Sequence, residues 1–203
     1  MGSSSSGPLP RAAHKATFDD LRLDRTTISD GDFEECQFRN CSFQEAEFDA
    51  CRLMTSSFVG CNLSLARFPR TRLATVQFKR SKLVGINWTV ARWPQLGLGQ
   101  ALNFNDCVLS QSVFIGLALK GVSFKDCIAH EVDFSDSNLA KCDFSGTDLS
   151  GARFNHTDLS GADFRSARNY TIDPMANTLK GAQFSLPEAV ALLTALGVVI
   201  VDE

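Results

Sequence analysis

The sequence predicts an elongated all-β solenoid, and two observations lead to that prediction. Large apolar residues recur at every fifth position from Phe18 to Trp93, and again from Phe104 to Phe164. Neither the 3.6-residue period of a helix nor the two-residue period of a strand gives this spacing. Residues twenty apart also match, which predicts square coils of four five-residue sides, stacked so that like residues form columns. The clearest columns are Phe18, Phe38, Phe58 and Phe78; Phe104, Phe124, Phe144, Phe164 and Phe184; and Leu119, Leu139, Leu159 and Leu179.

A second, small residue lies two positions before each large apolar centre, and both are expected to point inward. All seven cysteines occupy this slot: Cys36, Cys41, Cys51, Cys61, Cys107, Cys127 and Cys142. Because free cysteine behaves as a small buried hydrophobe and no C-x-x-C spacing occurs, we expect core filler with no metal and no cofactor. Cys41–Cys61 and Cys107–Cys127 are expected to stack on adjacent coils, where a disulfide stays an open alternative. The odd count and the lack of a secretory segment favour a reducing cytoplasm.

The polar positions complete a known repeat pattern. Asp148-Leu149-Ser150-Gly151 and Asp158-Leu159-Ser160-Gly161 are the cleanest copies. From about Phe18 to Phe184 the chain resembles the pentapeptide-repeat superfamily. The resemblance implies a right-handed quadrilateral β-helix, here of about eight turns.

The pattern divides the chain into three parts. Residues 1–15 are expected to be a disordered leader or a cloning scar, and residues 16–184 the β-helix. A break near 94–103, rich in Pro and Gly, predicts a bulge or kink. It is either a tolerated insertion or a binding feature. Residues 185–203 are expected to form a C-terminal cap and dimerisation module.

The cap prediction depends on a capping-box pattern. Ser185-Leu186-Pro187-Glu188 has the S-x-x-E form and predicts a helix that runs to Leu196 and ends at Gly197. Residues 198–201 predict a short strand. The apolar side chains of this segment would cover the open end of the solenoid, join two copies, or do both. They are Leu186, Val190, Leu193, Leu196 and Val198.

Charge is segregated along the chain. Ten acidic residues lie between Phe18 and Asp49, and none lies from Ala50 to Asn105. From Asp106 to Phe164, acidic residues again outnumber basic ones. Five aspartates of the last block precede centres and are expected to form outward columns that imitate the phosphates of DNA. They are Asp133, Asp143, Asp148, Asp158 and Asp163. The alternative is that Asp in this slot is ordinary repeat chemistry.

The middle block is basic and has eight Arg and Lys residues. This band either meets an acidic partner or balances the acidic ends. We expect Arg72, Arg92 and Trp93 to contact a partner.

No catalytic site is predicted. His14, His130 and His156 are scattered, and neither a phosphate-binding loop nor a nucleophile–His–acid set is recognisable. The carboxylates are evenly spaced along a rigid surface and do not converge in a pocket, which argues against acid–base catalysis. No apolar run is long enough to cross a bilayer.

Two segments narrow the resemblance. Gly85-Ile86-Asn87-Trp88-Thr89, leading to Trp93-Pro94, and Asn169-Tyr170 with Ile172-Asp173-Pro174 are similar to segments of albicidin-resistance and microcin-immunity proteins. Those proteins belong with the Qnr and mycobacterial fluoroquinolone-resistance proteins. The resemblance implies a non-catalytic, DNA-mimicking homodimer that binds DNA gyrase or topoisomerase IV and protects it from inhibitors. The long loops between coils on which plasmid Qnr proteins rely are missing here.

Two other functions stay open. The chain could be a scaffold that displays an interaction surface for an unknown partner. It could also bind nucleic acid directly through the basic band, although the acidic flanks disfavour this and we expect no direct binding.

Overall fold

The computed structural model describes residues 9–93 and 102–201. They form a right-handed quadrilateral β-helix of about eight turns with one short C-terminal helix, which confirms the predicted fold class. The strands are β1 (Ala12–His14), β2 (Thr17–Asp19), β3 (Thr27–Ser29), β4 (Asp32–Glu34), β5 (Gln37–Arg39), β6 (Glu47–Asp49), β7 (Arg52–Met54), β8 (Ser57–Val59), β9 (Arg72–Ala74), β10 (Gln77–Lys79), β11 (Asn103–Asn105), β12 (Ser123–Lys125), β13 (Asp163–Phe164) and β14 (Gln183–Phe184). A 3₁₀ turn spans Trp88–Val90 and helix α1 spans Val190–Ala195.

The four sides of each coil form four faces, numbered here from the residues that begin them. Face 1 begins with the column of Phe18, face 2 with that of Leu23, face 3 with that of Ile28 and face 4 with that of Phe33. On face 1 a six-stranded parallel sheet has the order β12-β11-β10-β8-β5-β2, and on face 4 a four-stranded sheet has the order β1-β4-β7-β9. Partners are twenty residues apart, as in Phe38↔Phe58.

The backbone is held by hydrogen bonds between coils. On each face the residue before the centre donates to the coil before it, as Gln37 N does to Ala16 O at 2.9 Å. At each corner the residue two after the centre donates to the coil after it, as Asp20 N does to Arg39 O at 2.9 Å. These corner residues have positive φ, 56° at Asp20 and 71° at Gly146, which is why Asp, Asn and Gly are common there.

Stacked aromatic rings fill the core. In the face 1 column, Phe38 and Phe58 are 4.7 Å apart with planes 12° apart, and Phe124 and Phe144 are 5.0 Å apart at 4°. Rings of different faces meet edge to face, as Phe134 and Phe144 do at 5.6 Å and 81°. These rings are fully buried, which confirms that the centres point inward.

The small inward residues complete the core and hydrogen-bond within it. All seven cysteines are buried free thiols, as expected for core filler. The Sγ of Cys36 donates to Ala13 O at 3.4 Å, and Ser56 Oγ donates to Phe33 O at 3.2 Å in the same kind of slot. Burial raises the pKa of the Cys142 thiol to about 12, so this thiol stays protonated and unreactive at neutral pH.

The N-terminal boundary differs from the prediction. Residues Ala12–His14, expected to belong to a disordered leader, form β1 and pair in parallel with β4. The solenoid therefore begins before residue 16. The five-residue pattern hides this strand because its centre is the small residue Ala13.

The C-terminal cap also differs from the prediction. Helix α1 begins at Val190, not at Ser185, and has no side-chain cap. The hydroxyl of Ser185 accepts from Ser166 N at 2.9 Å, and Glu188 Oε2 accepts from Asn169 N at 3.4 Å. These side chains satisfy corner N–H groups of the last coil in place of the N–H groups of their own helix.

The strand predicted over residues 198–201 does not form. The N–H of Val198 bonds back to Leu193 O at 3.1 Å and closes the helix end. The prediction was wrong because a β-rich composition forms a strand only beside a partner edge.

The break in register is larger than a single residue. Phe78 pairs with Phe104, so this coil contains 26 residues, six more than the others. The predicted bulge or kink near 94–103 falls mostly outside the described residues. Within the described ranges, no helix is both long and apolar enough to cross a membrane.

Replacing Phe144 with Ala should lower the free energy of unfolding by about 3–5 kcal/mol, because it leaves a cavity between two stacked rings. Replacing the exposed Lys125 with Ala should change it by less than about 0.5 kcal/mol. Denaturant titration followed by circular dichroism measures both. Equal losses would contradict the inward assignment.

Candidate protein-interaction surfaces

The five predicted aspartates are spread over all four faces. Asp143 and Asp163 stack on face 1, Asp148 lies on face 2, Asp133 on face 3 and Asp158 on face 4. Only Asp143 and Asp163 share a column, so the predicted set of stacked acidic columns was wrong. Residues five or ten apart occupy different sides of the square coil and cannot stack.

These aspartates have a structural role at the end of each side. One carboxylate oxygen of each accepts the backbone N–H two residues later, at 2.9–3.2 Å. Asn138 makes the same bond to Ala140 N at 3.1 Å without a charge. The bond is an Asx turn that stabilises the corner, which favours the interpretation of ordinary repeat chemistry.

Several of these carboxylates are also paired with arginine. Asp133 is 2.7 Å from Arg153, and Asp148 is 3.1 Å from Arg168. Burial opposes ionisation of both aspartates, but hydrogen bonds and the guanidinium outweigh it and hold the pKa of each carboxyl below its usual range. The side chains of Asp133 and Asp148 therefore serve to stabilise the fold.

The acids most available to a partner lie at the corners, a position the sequence reasoning missed. Asp106, Asp126, Glu131 and Asp136 are exposed and have φ between 53° and 59°. Asp106 and Asp126 belong to adjacent coils at one corner, where Asp106 N donates to Lys125 O. In the described part of the chain neither has an ion-pair partner. The signal was available: both come two residues after a centre, where the left-handed backbone favours Asp.

Arginines on this solenoid usually face an acid on the neighbouring coil. Among the described residues, six arginines pair with an acid twenty positions away: Arg25–Glu45, Arg39–Asp19, Arg52–Asp32, Arg67–Glu47, Arg153–Asp133 and Arg168–Asp148. The basic band departs from this rule on face 4. There Arg52, Arg72 and Arg92 lie side by side on successive coils.

These three arginines line an open surface pocket of about 410 Å³, together with Arg70 and Trp93. None of the described residues that line it is acidic. Arg52 and Arg70 are held by Asp32 and Asp49, whereas no ion pair holds Arg72 or Arg92 within the described residues. The structure thus places Arg72, Arg92 and Trp93 around one pocket, and their contact with a partner stays a prediction.

The two tryptophans fix the wall of this pocket. Trp88 is fully buried in the face 3 column, between Phe68 at 5.4 Å and Phe114 at 5.7 Å. Trp93 is half-buried, and its Nε1 donates to Trp88 O at 2.9 Å. The Asn87 side chain caps the 3₁₀ turn by accepting from Thr89 N at 3.0 Å. The indole of Trp93 is therefore held in place beside the arginines.

The C-terminal segment leaves apolar surface exposed. Leu192 packs against the core, and Tyr170 closes it by packing 5.6 Å from Phe184. Leu186 is 78% exposed, Leu193, Leu196 and Val198 are close to half exposed, and Val190 is half-buried. Within the described residues, Leu192 of the helix packs against the core, whereas Leu193 and Leu196 stay close to half exposed.

The titratable side chains do not converge. His130 lies 3.3 Å from Asp148 on face 2, and His156 lies 3.6 Å from Asp136 at another corner. Among residues 9–93 and 102–201, no group of three or more His, Cys, Asp or Glu could hold a metal ion.

Comparison with known families agrees with this architecture. The model described as "Pentapeptide repeat region" matches residues 31–101, and the model "Pentapeptide repeats (8 copies)" matches residues 130–165. Together they cover more than half of the chain. The chain belongs to the pentapeptide-repeat family. No curated protein matches its sequence.

Solved structures of the same fold include QnrB1, described as a plasmid-mediated fluoroquinolone resistance protein. A trypsin-treated form matches with a TM-score of 0.65 and 18% identity over 94% of this chain and 90% of that one. Full-length QnrB1 matches with a TM-score of 0.56 and 19% identity over 92% and 90%. HetL, described as involved in heterocyst differentiation regulation in the cyanobacterium Nostoc sp. strain PCC 7120, matches with 0.50 and 18% over 85% and 86%.

Acid should destabilise the fold partly through Asp158. Hydrogen bonds from Ser160 hold the pKa of this carboxyl below its usual range, so the stability they add is present above about pH 4 and is lost as the pH falls further. In Asp158→Asn the amide oxygen still accepts from Ser160 N, but it does not titrate. The drop in melting temperature between pH 7 and pH 3 should therefore be smaller than in the wild type. A drop of equal size would contradict this role.

Proposed function

We propose that this protein is a non-catalytic, DNA-mimicking protein that binds a type II DNA topoisomerase, DNA gyrase or topoisomerase IV, and protects it from inhibitors in the cytoplasm. The outcome would be antibiotic resistance or self-immunity. The observation that carries the proposal is a side-chain-filled rod whose segregated charges all face outward, in a fold that QnrB1 shares over 94% of this chain. Such a rod acts by presenting a surface, and the description of QnrB1 as a fluoroquinolone resistance protein supports a role in resistance.

Unpaired carboxylates in the second half of the rod are the best contact candidates. We define the acidic edge as Asp106 and Asp126 at the corner after face 1, with Asp143 beside them on that face. None of the three forms an ion pair within the described residues, so each can meet a cation without first breaking a bridge. Its receiver would be a basic groove built for DNA, and its attraction would weaken with salt. Asp163 extends this surface, although Arg165 pairs with it at 2.6 Å.

The proposed active form is a homodimer joined at the C-terminal cap. The apolar surface of Leu186, Leu193, Leu196 and Val198 is adjacent on one short segment, and burying it against a second copy would remove it from water. Two rods joined end to end would present one long acidic surface.

A second candidate function is a scaffold for a partner unrelated to topoisomerases. The match to HetL favours it, because a pentapeptide-repeat solenoid with a regulatory role has the same fold. Capture of such a partner by the wild-type protein, but not by a variant of the acidic edge, would support this alternative.

Purified protein should preserve gyrase or topoisomerase IV activity in the presence of a fluoroquinolone or another topoisomerase poison, measured as supercoiling or decatenation on a gel. The double variant Asp106→Asn/Asp126→Asn should need at least about tenfold more protein for equal protection, because it removes two contacts to a basic groove. Asn tolerates the left-handed backbone at both corners, so the variant should fold.

The matched control is Asp20→Asn/Glu35→Gln, which removes the same charge from corners in the N-terminal coils. It should protect as well as the wild type. Absence of protection by the wild type against every poison tested would refute the topoisomerase proposal, and equal loss in the control would refute the acidic edge.

Leu196→Glu should convert a dimer into a monomer, because it places a charge inside the proposed apolar interface. Light scattering after size-exclusion chromatography measures the mass directly. Ile115→Glu alters an exposed apolar residue far from the cap and should leave the dimer intact. A monomeric wild-type protein would contradict the proposed interface.

A further inference from the structure

On face 4, arginines lie next to one another on successive coils, whereas arginines on the other faces often lie next to an acid. We define the arginine ladder as Arg52, Arg72 and Arg92, which occupy the same outward position on three successive coils. Like charges directly opposite on neighbouring strands are unfavourable, and strands lie about 4.8 Å apart. The column thus carries a repulsion that the five arginine–acid pairs on the other faces do not have.

The three arginines of the ladder differ in their ion pairs. Asp32 accepts from the Arg52 guanidinium at 2.9 Å on the coil before, and Glu34 lies 3.3 Å from it. Arg72 and Arg92 have no such partner within the described residues, and the chain has no acid between Ala50 and Asn105 that could supply one. These two guanidinium groups are therefore free to bind an anion without first breaking an ion pair.

The surroundings of the ladder suit a ligand. The pocket of about 410 Å³ lies over these side chains, and its lining contains four arginines and no acid. Trp93 forms one wall, fixed by its hydrogen bond to Trp88. Guanidinium groups offer paired N–H donors that match the two oxygens of a carboxylate, and the indole gives an apolar contact for the adjoining chain.

The length of the ladder favours an acidic polypeptide over a nucleic acid. Three coils span roughly 10 Å along the rod, enough for two or three carboxylates. Below the ladder the same column continues with Asp32, and above it with Ala118, Asn138 and Asp158. A nucleic acid strand, whose charge is continuous, would extend past the ladder toward these acids. A short acidic segment can end where the arginines end.

We propose that the arginine ladder, with Trp93, is a docking site for a short acidic segment of a protein partner, bound by Arg72 and Arg92 through its carboxylates. The site lies on a different face from the acidic edge and needs no topoisomerase. It gives the basic band a ligand of its own.

The test is fluorescence anisotropy with a labelled peptide of alternating glutamate and serine, on the full-length protein at low salt. Wild type should bind it, and Arg72→Gln/Arg92→Gln should bind at least about tenfold more weakly. The matched control Lys79→Gln/Arg80→Gln removes two other cations of the basic band and should bind like the wild type. A glutamine–serine peptide should not bind.

Three results would overturn the proposal: no binding of the acidic peptide by the wild type, equal loss in the control variant, or tighter binding of a single-stranded oligonucleotide than of the peptide. A second measurement guards against misfolding. Because it relieves like-charge repulsion, Arg72→Gln should melt at the same temperature as the wild type or higher, and a large fall would contradict the absence of an ion pair at Arg72 within the described residues. Failure of topoisomerase protection would leave these outcomes unchanged.

Discussion

The enclosure of one side chain in five is the constraint on which the rest of this molecule depends. Each Phe or Leu centre is covered by the centre one coil above and one coil below, with ring centroids 4.7–5.3 Å apart along the face 1 column. That spacing is also the distance between hydrogen-bonded strands, so ring stacking and backbone pairing reinforce each other. A regular coil then contains twenty residues, its corners adopt positive φ, and the positions outside the two inward slots are left for the surface.

Because of the same constraint, the outward-facing residues form a regular lattice. A residue and its neighbour twenty positions later lie side by side, and six of the 13 arginines use this neighbour relation to meet an acid. The exceptions are therefore informative. The acidic edge and the Arg72–Arg92 part of the arginine ladder have no ion pair within the described residues and lie on a rigid support, and rigid charged surfaces favour recognition of a partner over catalysis. These two surfaces carry opposite charge and lie on different faces, so one rod could bind two regions of a partner at the same time.

Periodicity predicted the interior because burial acts on one residue type at one slot. Phe38, Cys36 and their equivalents could be assigned inward from spacing alone. The exterior was harder because adjacent repeats face perpendicular directions: Asp143 and Asp148 look alike in sequence but lie on different faces. The ends were harder still. Ser185 and Glu188 have the pattern of a helix cap, yet the open N–H groups of Ser166 and Asn169 compete for them, and no local pattern reveals that competition. The five-residue pattern does not reveal strand β1, because the residue at the centre of that strand is the small Ala13.

The proposed function requires this protein to occupy a topoisomerase surface that otherwise binds DNA. The most direct measurement is competition between this protein and duplex DNA for immobilised gyrase or topoisomerase IV, followed by interferometry across a range of salt. We expect this protein and duplex DNA to exclude each other from the enzyme, and we expect the affinity of the protein to fall as salt rises. Simultaneous binding of both, or no binding of the protein at any salt concentration, would contradict it.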